Sequence, residues 1–380
     1  MAPEAEETIE APPLDWDLRP LAPHEHEPVL AWLDTGLRDG RKGRLAAEYP
    51  TLLDPAGRAW HRVAWVGDLP AAHAVGREVT VRVDGVSLPI GMIGLVYTDP
   101  RFRRRGLASA CVEACSQDLA EAGAAVALLW SDRHGFYRRM GFVPAGRELL
   151  VRVDARVSRI ACERFPTAAH DEVGAPRAGD WPAIEPLVEQ HRSHAIRRPG
   201  DLARLAASPD CTLRVARRGG RAVSYAACGR GDDFPGVVHE WAGETAGVAA
   251  CIDSFVRERG DLLVLCGAAA PEPITTFRAA GAAAFPGALA LCRLLDPTQL
   301  WRSVVADEPD LAPLGVGGSA EAPWIEAAGA RASLDPPDVL ALALGPEIPG
   351  AVRKALPQRW HAPLARILPR PAFLWGFDSI

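Results

Sequence analysis

An uninterrupted apolar stretch early in the chain is the clearest structural signal in the sequence. Residues 89–97 are rich in Ile, Leu and Val, which is typical of a buried strand. Asp99 and Pro100 end this strand, and Gly106 precedes a segment whose apolar side chains recur at helical spacing. The pattern therefore predicts a strand, a basic turn and a helix in succession.

Strand and helix patterns alternate on both sides of this unit and then repeat. Before it, residues 24–37 predict a helix and residues 72–83 a strand; after it, strands are predicted at 126–130 and 148–153. Residues 177–297 show the same order of strands and helices. We therefore interpret this second series as a repeat of the first.

The remaining segments differ in character from the two repeats. Residues 1 to about 15 are acidic and rich in Pro and Ala, which predicts a loose arm. Residues 155–176 are interpreted as a linker. Residues 298–304 predict a helix, residues 308–323 are rich in Pro and Gly, and short apolar helical patterns follow. Residues 298–380 are therefore expected to form a separate C-terminal part.

The basic turn carries chemistry suited to phosphate. The first N–H groups of a helix have no partner inside the helix and carry the positive end of its dipole. Here they would lie beside Arg103, Arg104 and Arg105, and Gly106 and Ala108 are small enough for a phosphate to approach the backbone. If the three arginines stood alone, a solvated basic turn would be the better interpretation.

Two motifs in this region carry a family resemblance. Residues 103–108, Arg-Arg-Arg-Gly-Leu-Ala, resemble the Arg/Gln-x-x-Gly-x-Gly/Ala signature of the GNAT N-acetyltransferases, whose loop holds the pyrophosphate of acetyl-CoA. Residues 136–142, Phe-Tyr-Arg-Arg-Met-Gly-Phe, are similar to the Phe-Tyr-x-x-x-Gly-Phe signature of a later helix in that family. The two motifs follow each other in the family's order and spacing.

The resemblance implies an α/β (α+β) fold class. It comprises two tandem GNAT folds, each a mixed, splayed central sheet flanked by helices, and a small C-terminal α/β part. Residues 16–155 would form the catalytic GNAT domain and residues 177–297 a degenerate second one. Residues 298–380 resemble a shortened version of the sterol-carrier-like third domain of Eis-type (enhanced intracellular survival) acetyltransferases and would end in the active-site cleft.

The second copy lacks the chemistry of the first. Aligning Gly281 with Gly141 places Phe277 against Tyr137, so the phenol is missing. Its strand-to-helix turn contains Glu244 where the first copy has arginines, and a carboxylate there would repel a pyrophosphate. This copy is therefore expected to shape a cleft rather than to react.

The resemblance also implies a set of site residues. Acetyl-CoA would be the cosubstrate, bound by Val96, Tyr97, Thr98, Arg103, Arg104, Arg105, Gly106, Leu107, Ala108 and Ser131. Tyr137 matches the tyrosine that protonates the departing thiolate, and a main-chain N–H near Val96 would polarise the carbonyl. In Eis-type enzymes the C-terminal carboxylate enters the active site, which makes that of Ile380 the candidate base. A tail docked only for stability is the alternative, and Glu240 and Asp378 are fallback bases.

Composition narrows the remaining function classes. The net charge of −6 argues against nucleic acid as the main partner, and no apolar run approaches the ~20 residues needed to cross a bilayer. The eight cysteines form no CxxC pair, so no metal is expected. The N-terminus lacks the pattern of a signal peptide, which predicts a cytoplasmic protein without a membrane partner. Eis-type relatives form ring-like assemblies, so a homo-oligomer is possible.

The predicted function is acetyl transfer from the CoA thioester to a primary amine on a small molecule or peptide. The acceptor is not identified by the sequence. The alternative is a non-catalytic acyl-CoA-binding sensor or scaffold, which would keep the phosphate turn but tolerate loss of Tyr137. A further hypothesis is that the C-terminal part binds an apolar ligand.

Overall fold

A computed structural model describes residues 14–54, 57–165 and 171–380. Most of the predicted N-terminal arm lies outside the described residues. The first half of the chain alternates strands and helices in the predicted order: β1 (Asp17–Pro20), α1 (His26–Leu37), α2 (Arg44–Glu48), β2 (Ala59–Val66), β3 (Leu69–Val83), β4 (Val86–Thr98), α3 (Leu107–Glu121), β5 (Val126–Leu129), α4 (His134–Arg138), β6 (Val143–Ala145) and β7 (Glu148–Val153).

The second half repeats this order, and a smaller C-terminal part follows. The second half contains α5 (Ala155–Cys162), β8 (Glu172–Gly174), α6 (Trp181–Ile184), β9 (Ser193–Ala195), α7 (Asp201–Ala206), β10 (Thr212–Arg218), β11 (Arg221–Cys228), β12 (Val237–Gly243), α8 (Thr245–Arg259), β13 (Leu262–Gly267), α9 (Ile274–Ala279), β14 (Ala283–Gly287) and β15 (Ala290–Leu294). The C-terminal part contains α10 (Pro297–Val304), β16 (Leu314–Gly318), β17 (Pro323–Ala327), β18 (Ala330–Ser333), α11 (Pro336–Leu344), α12 (Gly350–Ala355) and α13 (His361–Ile367).

Two mixed sheets of matching build dominate the molecule. In the described residues, one has the strand order β1-β2-β3-β4-β5-β15-β6, with β9 also paired to β3, and the other has the order β8-β10-β11-β12-β13-β7-β14. In each sheet the fourth and fifth strands are parallel, β4 with β5 and β12 with β13. The predicted fold class, mixed sheets flanked by helices, is confirmed.

The two sheets exchange strands between the halves of the chain. β7, the last strand of the first half, pairs antiparallel with β13 from Leu262↔Val153 onward, and β15 pairs antiparallel with β5 from Leu291↔Leu129 onward. The second sheet therefore contains β7 of the first half, and the first sheet contains β9 and β15 of the second half. The predicted boundaries between residues 155 and 177 divide the sequence, but they do not divide the sheets.

The interpretation of residues 155–176 as a linker is wrong for its first part, and also for residues 172–174, which form β8 and pair with β10. Residues 155–162 form helix α5, which begins where the Asp154 carboxylate accepts a hydrogen bond from Val157 N at 2.7 Å. Val157 and Ala161 are buried, and the Ser158 hydroxyl donates to Asp253 of α8 at 2.7 Å. Amphipathic packing on α8 thus stabilises a helix too short for a clear periodic signal.

The C-terminal segment of residues 372–377 is buried between the diverging ends of β12 and β13. These strands pair at Val237↔Leu263 and Val238↔Val264 and then separate. Gly376 N donates to His239 O at 3.0 Å, and the Trp375 ring lies edge-on to Trp241 with centroids 5.1 Å apart. The gap in the second sheet is therefore filled by the chain's own tail.

The C-terminal part is built on a small antiparallel sheet, β16-β17-β18, which the Pro/Gly-rich sequence did not predict. Helix α10 packs on it, and Trp301 Nε1 donates to Leu314 O at 3.2 Å. None of the described helices combines the length and the apolar character needed to cross a bilayer.

Candidate functional site

A cleft opens in the first sheet where β4 and β5 diverge. These strands pair from Ile90↔Val126 to Met92↔Leu128, after which β4 continues alone. The resulting cleft has a volume of about 1090 Å³. Twelve residues that the sequence predicted for the site line this cleft: Val96, Tyr97, Thr98, Arg103, Arg104, Arg105, Gly106, Leu107, Ala108, Ser131, Tyr137 and Ile380.

One end of the cleft is formed by the N-terminus of α3. Gly106 precedes the helix with φ +80°, and no side chain caps the first N–H groups. A Cβ on Gly106 would meet no atom within 4 Å, so the glycine is required by the left-handed backbone and leaves open space beside the helix N-terminus. Arg104 also adopts positive φ, +62°, which keeps the turn tight. Uncapped N–H groups flanked by guanidinium groups suit a phosphate anion.

A β-bulge in β4 forms the wall of the cleft. Residues Leu95 and Val96 lie opposite the single residue Ala74 of β3, between the pairs Val75↔Gly94 and His73↔Tyr97. Leu95 has φ +48°, an uncommon conformation for a branched side chain. The bulge thus interrupts the ladder of β4 at the cleft.

Tyr137 lies on α4, on the β5 side of the cleft. Its ring packs edge-on against Phe136 and Phe142, with centroid separations of 4.9 and 6.0 Å, and the residue is only 6% exposed. Burial raises the pKa of the phenol above its ordinary value, an effect opposed by neighbouring Arg133 and Ser131. The phenol is therefore a proton donor at neutral pH.

The C-terminus of the chain reaches the same cleft. A Cβ placed on Gly94 would lie 2.9 Å from the terminal carboxyl carbon of Ile380 and 3.0 Å from its Cγ1. Ile380 therefore packs directly on the backbone of β4, one residue before the bulge. Only a glycine at position 94 leaves room for this contact.

Buried ionic contacts hold the tail in this position. Arg197 donates to Asp378 Oδ1 and to Glu240 Oε1, each at 2.8 Å, and Glu240 is fully buried. Arg230 donates to Ser379 O at 2.9 Å. Glu240 and Asp378, the fallback bases, do not line the cleft, and their oxygens bind Arg197 instead. They anchor the tail.

The comparison with known proteins bears on this site. Residues 17–145 match the family model described as acetyltransferase (GNAT) domain. These residues carry a GNAT acetyltransferase domain. The matched segment includes the basic turn before α3, the bulge of β4 and Tyr137, whereas Ile380 lies outside it.

Solved structures share the fold of the GNAT domain and of the segments that follow it. A GCN5-related N-acetyltransferase from Anabaena variabilis ATCC 29413 has 11% identity and TM-score 0.67, with 96% of this chain and 100% of that chain covered. One from Kribbella flavida has 17% identity and TM-score 0.64, with coverages of 96% and 98%. Eis1 from Mycobacterium abscessus has 20% identity and TM-score 0.56, with coverages of 84% and 85%. A search of curated proteins finds no match.

The sequence did not predict that residues of the second half form one wall of the cleft. Asp233 and Phe234, from the turn between β11 and β12, line the cleft together with Tyr49 and Arg38. Arg38 Nη2 donates to Asp233 Oδ1 at 3.2 Å, and the Tyr49 hydroxyl donates to the same carboxylate. The only signal was a glycine-rich turn with two adjacent aspartates, which also predicts an ordinary loop.

The second half has different residues at the positions equivalent to Tyr137 and to the basic turn before α3. Phe277, aligned with Tyr137 of the GNAT domain, is fully buried, and Glu244 at the start of α8 pairs with Arg218 at 2.6 Å. Gly281 and Gly141 both adopt positive φ, +99° and +83°, which supports their alignment. The gap between β12 and β13 is occupied by the tail, so a ligand cannot lie there.

No group of His, Cys, Asp and Glu side chains in residues 14–54, 57–165 and 171–380 is arranged to hold a metal ion. The buried cysteines are small apolar side chains, and burial raises the pKa of the thiols of Cys111 and Cys292 to about 12.

Proposed function

We propose that this protein is an acetyl-CoA-dependent N-acetyltransferase that transfers the acetyl group to a primary amine. One observation carries the proposal: the uncapped N-terminus of α3, the Tyr137 phenol and the Ile380 carboxylate all line the cleft between β4 and β5. Such groups can bind a nucleotide thioester, protonate a thiolate and deprotonate an amine, respectively.

The diphosphate of acetyl-CoA would bind at the N-terminus of α3. Gly106 and Ala108 allow the phosphate oxygens to reach the first N–H groups of the helix, and Arg103 to Arg105 add positive charge. The pantetheine would lie along Val96 to Thr98. This places the thioester near the bulge of β4 and near Tyr137.

The transfer requires two proton movements, and a third restores the site. The nitrogen lone pair attacks the carbonyl carbon, the C–N bond forms, and charge on the carbonyl oxygen is stabilised by the N–H of Val96. The amine proton passes to the carboxylate of Ile380, directly or through water. As the C–S bond breaks, the thiolate takes the proton of Tyr137, giving free CoA and the amide. The proton on the Ile380 carboxyl then returns to the phenolate through water.

The charge distribution in the cleft supports an amine acceptor. Arginines 103–105 lie at the end formed by α3, and the charge of Asp233 on the second-half wall is matched by Arg38, which also lines the cleft. The carboxylate of Ile380 would therefore be the group that attracts a cationic ammonium group, which would lose its proton to solvent before attack.

We also propose the assignments that the comparisons leave open. These are an Eis-type chain with a catalytic domain at 16–155, an unreactive second GNAT domain at 177–297 and a sterol-carrier-like part at 298–380. The matching strand orders of the two sheets support the second domain. Lipid that co-purifies with the protein would support an apolar ligand in the C-terminal part.

Thiol release from acetyl-CoA tests the proposed activity. We expect release that depends on an amine, assayed with a polyamine, an aminoglycoside and a lysine peptide. Tyr137→Phe should lower kcat about 100-fold or more, because the thiolate loses its acid, while calorimetry shows unchanged acetyl-CoA binding. Binding of acetyl-CoA without release for any amine would support the sensor or scaffold alternative instead.

The role of the C-terminal carboxylate is tested by moving it. Adding one alanine after Ile380 keeps every side chain and displaces only the carboxylate. We expect kcat to fall about 10- to 100-fold with little change in acetyl-CoA affinity. Unchanged kcat would mean that the tail is docked for stability alone.

A further inference from the structure

Three imidazoles connect the start of α1 to the bulge of β4. His73 is fully buried on β3, with Nδ1 2.9 Å from Leu95 O and Nε2 3.0 Å from His61 Nδ1. His61 in turn contacts His26 edge-on, with ring centroids 5.5 Å apart. The bulge is therefore backed by a hydrogen-bonded pair of histidines.

The hydrogen-bond directions in this pair are fixed. A carbonyl oxygen only accepts, so His73 Nδ1 must carry a hydrogen and donate it to Leu95 O. In a neutral imidazole Nε2 is then an acceptor, and His61 Nδ1 donates to it. Burial lowers the pKa of His61 to about 3 and that of His73 to about 4, so both rings are neutral at physiological pH.

This hydrogen bond acts on a strained residue. Leu95 has φ +48° and is nearly buried at 8% exposure, and the bulge takes its carbonyl away from the regular ladder of β3 and β4. A buried carbonyl needs a donor, and His73 supplies it. Without that donor, the bulge would lose the contact that satisfies its backbone.

Two groups of the proposed mechanism, the N–H of Val96 and the carboxylate of Ile380, lie at the bulge or directly beside it. Val96, whose N–H is proposed to polarise the carbonyl, is the second residue of the bulge, and Ile380 packs on Gly94 immediately before it. His73 itself does not line the cleft. It can influence the reaction only through Leu95.

We propose that His73, oriented by His61, is a positioning residue that fixes the Leu95–Val96 bulge and the adjoining Gly94, and so aligns the polarising N–H and the terminal carboxylate with the thioester. This inference rests on the proposed acetyltransferase function. It assigns a role to two histidines that do not line the cleft.

Substitution of His73 by asparagine or by glutamine tests whether the residue positions the bulge or only fills space. The side-chain nitrogen of Asn lies where Nδ1 lies and can donate to Leu95 O, whereas that of Gln lies near the place of Nε2. We expect His73→Asn to keep kcat within about threefold of wild type and His73→Gln to lose about 100-fold. Both should keep acetyl-CoA affinity and amine KM within about threefold.

A second variant controls for loss of stability. Trp301→Phe removes a buried side-chain donor to a backbone carbonyl, Leu314 O, in the C-terminal part. It should lower the melting temperature without changing kcat. If His73→Gln does not fold, His61→Gln replaces it, with an expected loss of kcat of about tenfold as His73 loses its orienting partner.

The outcomes distinguish this inference from the function on which it rests. Equal kcat in His73→Asn and His73→Gln, or losses that simply follow the melting temperature as in Trp301→Phe, would overturn the positioning role and leave the acetyltransferase proposal standing. A wild-type chain that releases no thiol would overturn both.

Discussion

At Gly94 the space between β4 and Ile380 is too small for a methyl group. A Cβ there would lie 2.9 Å from the carboxyl carbon of Ile380, closer than real Cβ atoms approach other atoms. We expect Gly94→Ala to displace the terminal carboxylate and lower kcat about 10- to 100-fold, because small misplacements of a reacting group are costly. Steady-state kinetics and calorimetry with acetyl-CoA measure the two effects separately.

Gly76 on the neighbouring strand is the matched control for this substitution. A Cβ on Gly76 would meet Cys115 Cβ at 3.4 Å and Leu119 at 3.5 Å, which are ordinary contacts. Gly76→Ala should therefore leave kcat unchanged. Wild-type kcat in Gly94→Ala as well would show that the position of the carboxylate does not matter.

Individual site residues could be named from the sequence where a local motif identifies them. The Arg-Arg-Arg-Gly-Leu-Ala turn and Tyr137 are examples, because their chemistry depends on neighbours in the chain. Asp233 and His73 could not be found in this way. Asp233 contacts Arg38 from the other half of the chain, and His73 contacts Leu95 on the neighbouring strand. No local sequence pattern describes such contacts.

At the level of elements, the N-terminus of α3 depends on a left-handed glycine. Gly106 has φ +80° with open space around it, so Gly106→Ala adds backbone strain of roughly 1–2 kcal/mol and a methyl group beside the phosphate turn. We expect acetyl-CoA affinity to fall about tenfold or more, measured by calorimetry.

Gly200 offers a control of the same geometry. It precedes α7 with φ +85° and also has no atom within 4 Å of a Cβ. Gly200→Ala should cost similar stability in urea unfolding but leave acetyl-CoA affinity unchanged. A comparable loss of affinity in both variants would argue against a phosphate at the start of α3.

The order of elements was predictable, but their neighbours were not. Periodicity located β7 at residues 148–153 because side-chain alternation is a local property. Nothing in that alternation shows that β7 pairs with β13 rather than with a strand of its own half. Helix α5 was missed because eight residues give little more than two turns of periodic signal.

For the whole molecule, the position of the tail predicts the binding stoichiometry. Two GNAT-like sheets could offer two cofactor clefts, but Gly376 and Trp375 fill the gap between β12 and β13. We therefore expect calorimetry to give one acetyl-CoA per chain. A second binding event that survives Gly106→Ala would contradict this expectation.

Four buried or half-buried histidines predict how stability depends on pH. Burial lowers the pKa of His61 and His239 to about 3 and that of His73 and His191 to about 4. Between these values and about 6.5 the unfolded chain binds more protons, so the free energy of unfolding falls as the pH decreases through this window. Each histidine contributes a slope of up to about 1.4 kcal/mol per pH unit.

Two carboxyl groups, Glu148 and Asp233, act in the opposite direction, because burial raises the pKa of both. The pKa of Glu148 rises to about 7, so its contribution to stability is present at low pH and is lost as the pH rises through that value. The four histidines outweigh these carboxyl groups, and urea titrations should show lower stability at pH 5 than at pH 7. His73→Asn should flatten this dependence, whereas equal stability at both pH values would contradict the prediction.

The exchange of β7 and β15 has a consequence for how such a chain can change over generations. A tandem duplication by itself yields two self-sufficient copies, either of which can later be discarded. Once each half completes the sheet of the other, deleting the second half also takes away β15, the partner of β5 beside the cleft. The backbone of the second half must therefore be kept, whereas its side chains can change around the cleft.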